Sequence, residues 1–276
     1  ILKEITSLAK KENTASVVIT FDPHPKYVLN KRIINHRRLI TTLEKKIKLF
    51  DQYGISYVLI LPFSIEISNM KAEDFLKNVI IDNFHPHDIV IGYDHHFGHN
   101  RRGNLKLLSE SATQFNYRIN EISAVKYDGK LVSSTIIREF LLSGEIEKVN
   151  QLLGWKYEIT GTVVIGDGRG HQIDFPTANI DPYEKKQIIP KNGVYKVRVS
   201  VNGKEYDGMC NIGKQPTFNG DTEKIEVNIL TDNTFDLYGK ALSIKFYRFL
   251  REEKKFNNIN ELKIQLEKDK IDCLNN

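Results

Sequence analysis

Residues 166–179, GDGRGHQIDFPTAN, hold the residue types best suited to chemistry. Gly166, Gly168 and Gly170 follow the apolar run ITGTVVI, and glycines there let backbone N–H groups approach an anion closely. Thr177 and Asn179, in Pro176-Thr177-Ala178-Asn179, add a hydroxyl and an amide oxygen two positions apart. In an extended segment residues i and i+2 share a face, so both oxygens can meet one hard cation such as Mg²⁺. The stretch is not a Walker A loop, because no GK[ST] follows, and not a dinucleotide-binding fingerprint, because no helix pattern follows. A glycine-rich hairpin turn with a polar exit accounts for the same residues, and spacing does not separate the two readings.

Histidine supplies a second set of candidates, at His85, His87, His95, His96 and His99. Zinc is the sharper reading. However, His85 and His87 flank a proline, and His95 and His96 are adjacent rather than at i, i+4 on a helix, so metal is not favoured there. Cys210 and Cys273 are far apart and form no CxxC pattern, which argues against a disulfide framework or a thiolate zinc site and for a reducing cytoplasm.

The elements that must position these residues change character along the chain. SVVITF (16–21), SYVLILPF (56–63), DIVIGY (88–93) and YRINEISAV (117–125) read as strands. Helix patterns alternate with them at 41–53, 70–84, 105–115 and 134–144. This alternation predicts a parallel sheet with crossover helices. After 145–155 the pattern turns to successive strands: YEITGTVVIG, GVYKVRVSVNGKEYDGMCNIG, KIEVNIL and LSIKFYRFL. Asn202-Gly203 between two such runs predicts a tight hairpin. Residues 257–274 close as an amphipathic helix, with Asn258 and Glu261 spaced like a capping box. The second half therefore predicts a small antiparallel sheet or barrel plus a terminal helix.

The composition agrees with two folded domains. The chain has 276 residues, 40% apolar, 27% charged and 10% aromatic, which excludes wholesale disorder and collagen-like structure. No stretch approaches the ~18 uncharged residues of a membrane helix, and the start reads as an amphipathic helix rather than a signal peptide. The net charge of +5 is small and spread out, and fits small anions such as nucleotides at least as well as nucleic acid.

Together with several further motifs, the glycine loop and its PTAN carry a family resemblance. They resemble the riboflavin kinase signature, and the match continues through CNIGKQPTFNG (210–220), residues 224–240 and FLREEKKF (249–256). Upstream, TFDPHP (20–25), LPFSIEISNMKAEDF (61–75), IGYDHHFGHNRRG (91–103) and VSSTIIR (132–138) resemble the FMN adenylyltransferase module. Nearly the whole chain thus resembles the bacterial bifunctional riboflavin kinase/FMN adenylyltransferase (FAD synthetase) family.

The resemblance implies an α/β nucleotidyltransferase-like domain with a Rossmann-like parallel sheet at 1–150, and a small antiparallel β-barrel with a terminal helix at 156–276. It implies a kinase that turns riboflavin and ATP into FMN, and an adenylyltransferase that turns FMN and ATP into FAD. For the kinase, Gly166, Gly168 and Gly170 would cradle phosphate, Thr177 and Asn179 would hold Mg²⁺ and ATP, and Glu226 would be the base. Arg251 would lie near the flavin. By pattern alone Glu226 is a charged residue on the solvent face of the alternating strand Ile225-Glu226-Val227-Asn228-Ile229, and Arg251 a surface charge. For the adenylyltransferase, Ser133, Ser134, Thr135 and Arg138 match the second nucleotide motif, although an ordinary helix N-cap with an exposed Arg fits the same pattern. Asp94 and Phe97 would line the flavin pocket, with Phe97 or Phe21 on the ring, and His99 to Arg102 form a basic patch able to meet phosphate.

Three departures stand out. Asp174 occupies a position where the family usually has Gly; if positive φ is required, Asp is among the tolerant substitutes. Asn228 stands where many relatives have His and reads as a tolerated polar neighbour. The chain starts at the helix that follows the family's glycine-and-histidine loop, so the His-x-Gly-His motif is expected upstream of Ile1. A protein without it would keep kinase activity and lose most adenylyl transfer. Competing readings are a riboflavin kinase with a non-catalytic flavin- or nucleotide-binding N-terminal module, and an RNA-binding protein favoured by the basic, aromatic GVYKVRVSV. The expected partners are nucleotides and flavins, not nucleic acid or membrane, and self-association is compatible with all of this.

Overall fold

The computed structural model describes residues 1–29, 38–166, 170, 173–217 and 220–275, with the backbone alone for 215–217 and 220–222. Contacts divide the chain into two compact units, Ile1–Arg37 with Thr41–Leu131, and Arg38–Ile40 with Val132–Asn276. Gly168 lies outside the described residues.

The first unit is built on two parallel strand pairs. β1 (Val17–Asp22) pairs with β2 (Tyr57–Pro62), and β3 (Asp88–Gly92) with β4 (Arg118–Ile122). Among the described residues the two pairs are not hydrogen-bonded to each other. Helices α1 (Leu2–Lys11), α2 (Pro25–Leu29), α3 (Leu43–Gln52), α4 (Ile65–Asn69), α5 (72–84) and α6 (Leu105–Phe115) intervene. Their starts follow local chemistry: Thr42, Ser64 and Asn104 each accept a backbone N–H three residues on. The middle of α5, Phe75–Ile81, is wound as a π-helix, which the helical periodicity of 70–84 does not signal. Leu76, Ile81, Ile91, Leu108 and Tyr117 form this unit's core. The short strands β5 (Lys126–Tyr127) and β6 (Lys130–Leu131) end the unit as a hairpin.

The second unit is a closed barrel. β7 (Glu158–Val164), β8 (Ala178–Pro182), β9 (Gly193–Val201), β10 (Lys204–Thr217), β11 (Gly220–Ile229) and β12 (Ala241–Arg251) run in the order β10-β11-β8-β7-β12-β9, and β9 pairs with β10 to close it. Asn202 and Gly203 both have positive φ (50° and 78°), as a two-residue type I′ hairpin requires. Alternate residues such as Ile159, Val197, Cys210, Ile225, Val227 and Phe246 fill the barrel, so their polar neighbours face outward. Helices α7 (Ser134–Ser143) and α8 (Ile146–Leu153) belong to this unit through Ile137, Leu141, Ile146 and Val149. The division between units thus falls ahead of the 145–156 segment. Helix α9 (Ile259–Leu274) begins at Asn258, whose Oδ1 accepts the Glu261 N–H at 3.0 Å. A smaller core of Phe175, Val194, Met209 and Cys273, joined by Leu266 of α9, lies outside the barrel.

Candidate active site

Strand register brings the barrel's polar residues together. Glu226 on β11 is paired with Asn179 on β8 and, on its other side, with Asn211 on β10. Ile225 and Val227 are buried in the barrel, so Glu226 between them faces out. Its carboxylate is half-buried and lies 3.1 Å from the Lys224 ammonium.

Asn179 is 8% exposed, and its Oδ1 is buried with no hydrogen-bond partner among the described residues. A buried amide oxygen without a partner is costly unless a ligand completes it. Being hard and uncharged, it suits a divalent cation that brings anionic phosphate oxygens with it. Thr177, half-buried, precedes it by two residues. Gly166 lies against the Asn179 amide, where any Cβ would come within 1.9 Å of Nδ2. Gly170 accepts the Phe175 N–H at 3.0 Å, and a Cβ there would sit 2.3 Å from the Phe175 carbonyl oxygen. Both glycines therefore make room for this chain's own atoms.

Asp174 has φ +61°, the left-handed conformation that glycine adopts freely. Its exposed carboxylate pairs with Lys263 of α9 at 3.0 Å. Arg251 is not a surface charge. Its Nε and Nη2 donate to Asp269 of α9 at 2.6–3.0 Å, and Nη1 donates to the Glu252 carbonyl. Asp269 is 1% exposed, so this is a buried ion pair fastening α9 to β12. The basic residues of β9 are also engaged, Lys196 with the Asn275 carbonyl and Arg198 with Asp207.

Of two further site neighbours, a reading of the sequence undervalues one and misses the other. Asn228 is buried and donates from Nδ2 to the Pro176 carbonyl at 2.7 Å, which makes it more than a tolerated polar neighbour. Its i+2 spacing from Glu226 was the available signal. Asn211 had none, because its place beside Glu226 depends on a non-local register.

Ser133, Ser134, Thr135 and Arg138 belong to this same unit. Ser133 caps α7, accepting the Ile136 N–H at 3.4 Å, and Ser134 and Thr135 are exposed in the first turn. Arg138 is buried, not exposed: Nε donates to the Arg38 carbonyl at 2.9 Å and Nη1 to that of Ser134 at 3.0 Å.

In the first unit, Phe21 and Phe97 join one aromatic cluster through Phe75, at centroid distances of 6.3 and 5.8 Å. Phe63 packs edge-on to Phe21, and His95 stacks on Phe97. Backbone hydrogen bonds with Gly103 in both directions pin Phe97, and exposed Asp94 follows β3. A cavity of about 390 Å³ is lined by Lys71, Ala72, Glu73, Asp74, His99 and Arg102. The histidines take separate partners. His99 Nδ1 donates to the Ser68 carbonyl, and His96 Nδ1 lies 2.8 Å from that of Asp94. Burial pushes the His95 pKa down. Glu12, His87 and Asp88 are close enough to suit a metal, but Arg118 sits among them, 2.8 Å from Glu12 and 2.7 Å from Asp88. Its hydrogen bonds hold the Asp88 carboxyl well below the usual carboxylate range, as an ion-pair cluster would.

Known proteins resemble the chain over nearly its whole length. The FAD synthetase family matches residues 1–136 and the riboflavin kinase family residues 153–275. A Buchnera aphidicola protein named bifunctional riboflavin kinase/FMN adenylyltransferase is 36% identical over 273 residues, covering 98% of this chain and 86% of the relative. A Listeria monocytogenes protein of the same name is 37% identical over 274 residues, covering 99% and 85%. A Streptococcus pneumoniae crystal structure described as a macrolide-efflux protein superposes with a TM-score of 0.88 at 27% identity, covering 99% of this chain and 88% of that one. Among the described residues, no helix is long and apolar enough to cross a membrane.

Proposed function

The chain belongs to the bifunctional riboflavin kinase/FMN adenylyltransferase family, and from that premise we propose how its residues divide the two reactions. The protein is an ATP-dependent riboflavin kinase and FMN adenylyltransferase, acting on riboflavin, FMN and ATP and yielding FAD. We assign the kinase to the barrel. The 5′-hydroxyl of riboflavin attacks the γ-phosphorus of ATP, Glu226 accepts the hydroxyl proton, and ADP leaves. Asn179, with Thr177, would hold Mg²⁺, which when bound would neutralise charge on the phosphate oxygens. Backbone N–H groups of the 166–170 loop cradle the phosphates. Arg251, already engaged by Asp269, shapes the wall beside the flavin rather than bonding to it.

For the adenylyltransferase, an FMN phosphate oxygen attacks the α-phosphorus of ATP and pyrophosphate leaves. No protein nucleophile is needed, so the residues position substrate and balance charge. Arg138 holds the first turn of α7, Ser133 to Thr135, in place through the Ser134 carbonyl. Phe21 and Phe97 pack on the flavin and Asp94 borders it.

The observation that carries the kinase reading is the buried Asn179 oxygen, without a partner among the described residues, in register beside Glu226. The test is Glu226→Gln, with riboflavin and FMN supplied separately. Kinase turnover should fall roughly 10²–10⁴-fold while FAD formation from FMN is unchanged. Near-normal FMN production would remove Glu226 from the chemistry.

A further inference from the structure

The loop carrying the proposed metal ligands leaves the ladder just where it must be held. β8 pairs with β11 through Ile180, Asn179 and Ala178, opposite Ile225, Glu226 and Val227, and the register stops there. Thr177 and Pro176 lie beyond it, and proline has no N–H with which to extend a ladder. The next residue of β11 is Asn228. Its side chain leaves on the same outer face as Glu226, is 7% exposed, and donates from Nδ2 to the Pro176 carbonyl at 2.7 Å. A side-chain amide thus continues the pairing one step past the last strand pair. The other ties on this loop differ in kind. Phe175 packs in the small apolar core and its N–H donates to the Gly170 carbonyl, ahead of Pro176, and the Asp174–Lys263 pair is exposed and weak.

We propose that Asn228 is a positioning residue for the kinase reaction: by pinning the Pro176 carbonyl it presents Thr177 and Asn179 to the metal and its phosphates. This rests on the kinase reading above. Partners that orient a metal ligand typically govern metal affinity by about 10–100-fold.

The test is the Mg²⁺ dependence of riboflavin phosphorylation by the full chain at saturating ATP, with Tm and riboflavin affinity measured alongside. Asn228→Ala should raise the half-saturating Mg²⁺ concentration by about tenfold or more, with riboflavin affinity unchanged. Asn228→Asp keeps the shape but loses the donor and turns an anionic oxygen on the carbonyl, so it should shift the Mg²⁺ curve at least as far and covers the case in which the alanine variant does not fold. Asn228→His offers an Nδ1–H at the same branch of the side chain and should bring the curve back towards wild type. On an Asn179→Ala background, Asn228→Ala should add little, because it acts through that ligand. A residue with only a structural role would lower Tm and leave the Mg²⁺ curve in place. Wild-type Mg²⁺ curves in both the alanine and aspartate variants would overturn the proposal. If the wild-type protein makes no FMN from riboflavin, the kinase reading itself fails, which is a separate result.

Discussion

In the barrel, Asn211, Glu226 and Asn179 come from three neighbouring strands, and the ladder itself sets them side by side. In the first unit, Phe21 comes from a strand and Phe97 from a loop, and ring contacts through Phe75 bring them together. Charges follow the same division. The barrel buries its Arg251–Asp269 pair, with side chains 14% and 2% exposed, whereas Arg118 in the first unit is 52% exposed. A site held by strand register and buried pairs has little room to relax, so single substitutions should be felt sharply there. A site held by loop and ring packing can yield, and the same kind of change should cost less.

The largest effect should come from Asp269→Ala. It leaves a buried guanidinium without its partner, and should cost about 3–5 kcal/mol of barrel stability in a denaturant titration. A loss below about 1 kcal/mol would put the pair in the class of exposed ion pairs and erase the contrast. Next, Gly166→Ala must displace the Asn179 amide, because no Cβ fits 1.9 Å from it. A misplacement of about 1 Å costs on the order of 10²-fold in turnover, so kinase activity should drop by that much with FAD formation from FMN intact. Phe97→Ala should be milder. An aromatic contact contributes about 0.5–1.5 kcal/mol, so the KM for FMN should rise roughly 2–10-fold without loss of the kinase. A loss of FMN binding altogether would show that the loop site is as rigid as the barrel.

These contrasts bear on what could be read from the sequence. The Asn202-Gly203 hairpin and the Asn258 cap were legible because each depends on neighbouring residues alone. The positive φ at Asp174 was raised only conditionally, from the glycine that the resembling family usually has there. Alternation put Glu226 on an outer face, but only the family resemblance separated it from an ordinary solvent-facing charge. Asn211 could not be found, because its neighbour is set by a register between strands distant in sequence. Arg138 donates to a carbonyl of Arg38, which belongs to the barrel unit, and that long-range contact buries a side chain that the helix-cap alternative left exposed. Parallel strands were foreseen, but their grouping into two separate pairs was not.

The smallest expected effect is one of pH. Arg118 lowers the Asp88 pKa in the folded state, so Asp88 contributes stability that is fully present above its unfolded pKa of about 3.9 and lost as pH falls towards the folded value. In the first unit, acid unfolding between about pH 4 and pH 2 should therefore be shallower in Arg118→Ala than in wild type. Superimposable acid curves would mean that the exposed cluster contributes nothing.

The Asn179 oxygen, without a partner among the described residues, is the proposed metal ligand of the barrel, beside the proposed base Glu226. The most direct measurement is a Mg²⁺ titration of riboflavin phosphorylation in Asn179→Ala and Asn179→Asp. The alanine variant should need about tenfold more Mg²⁺ or higher, with riboflavin binding intact, and the aspartate, which places a charged oxygen at the same point, should need less than the alanine variant. If both curves lie on that of the wild type, residues 176–179 are only a turn, and the account of the kinase site is wrong.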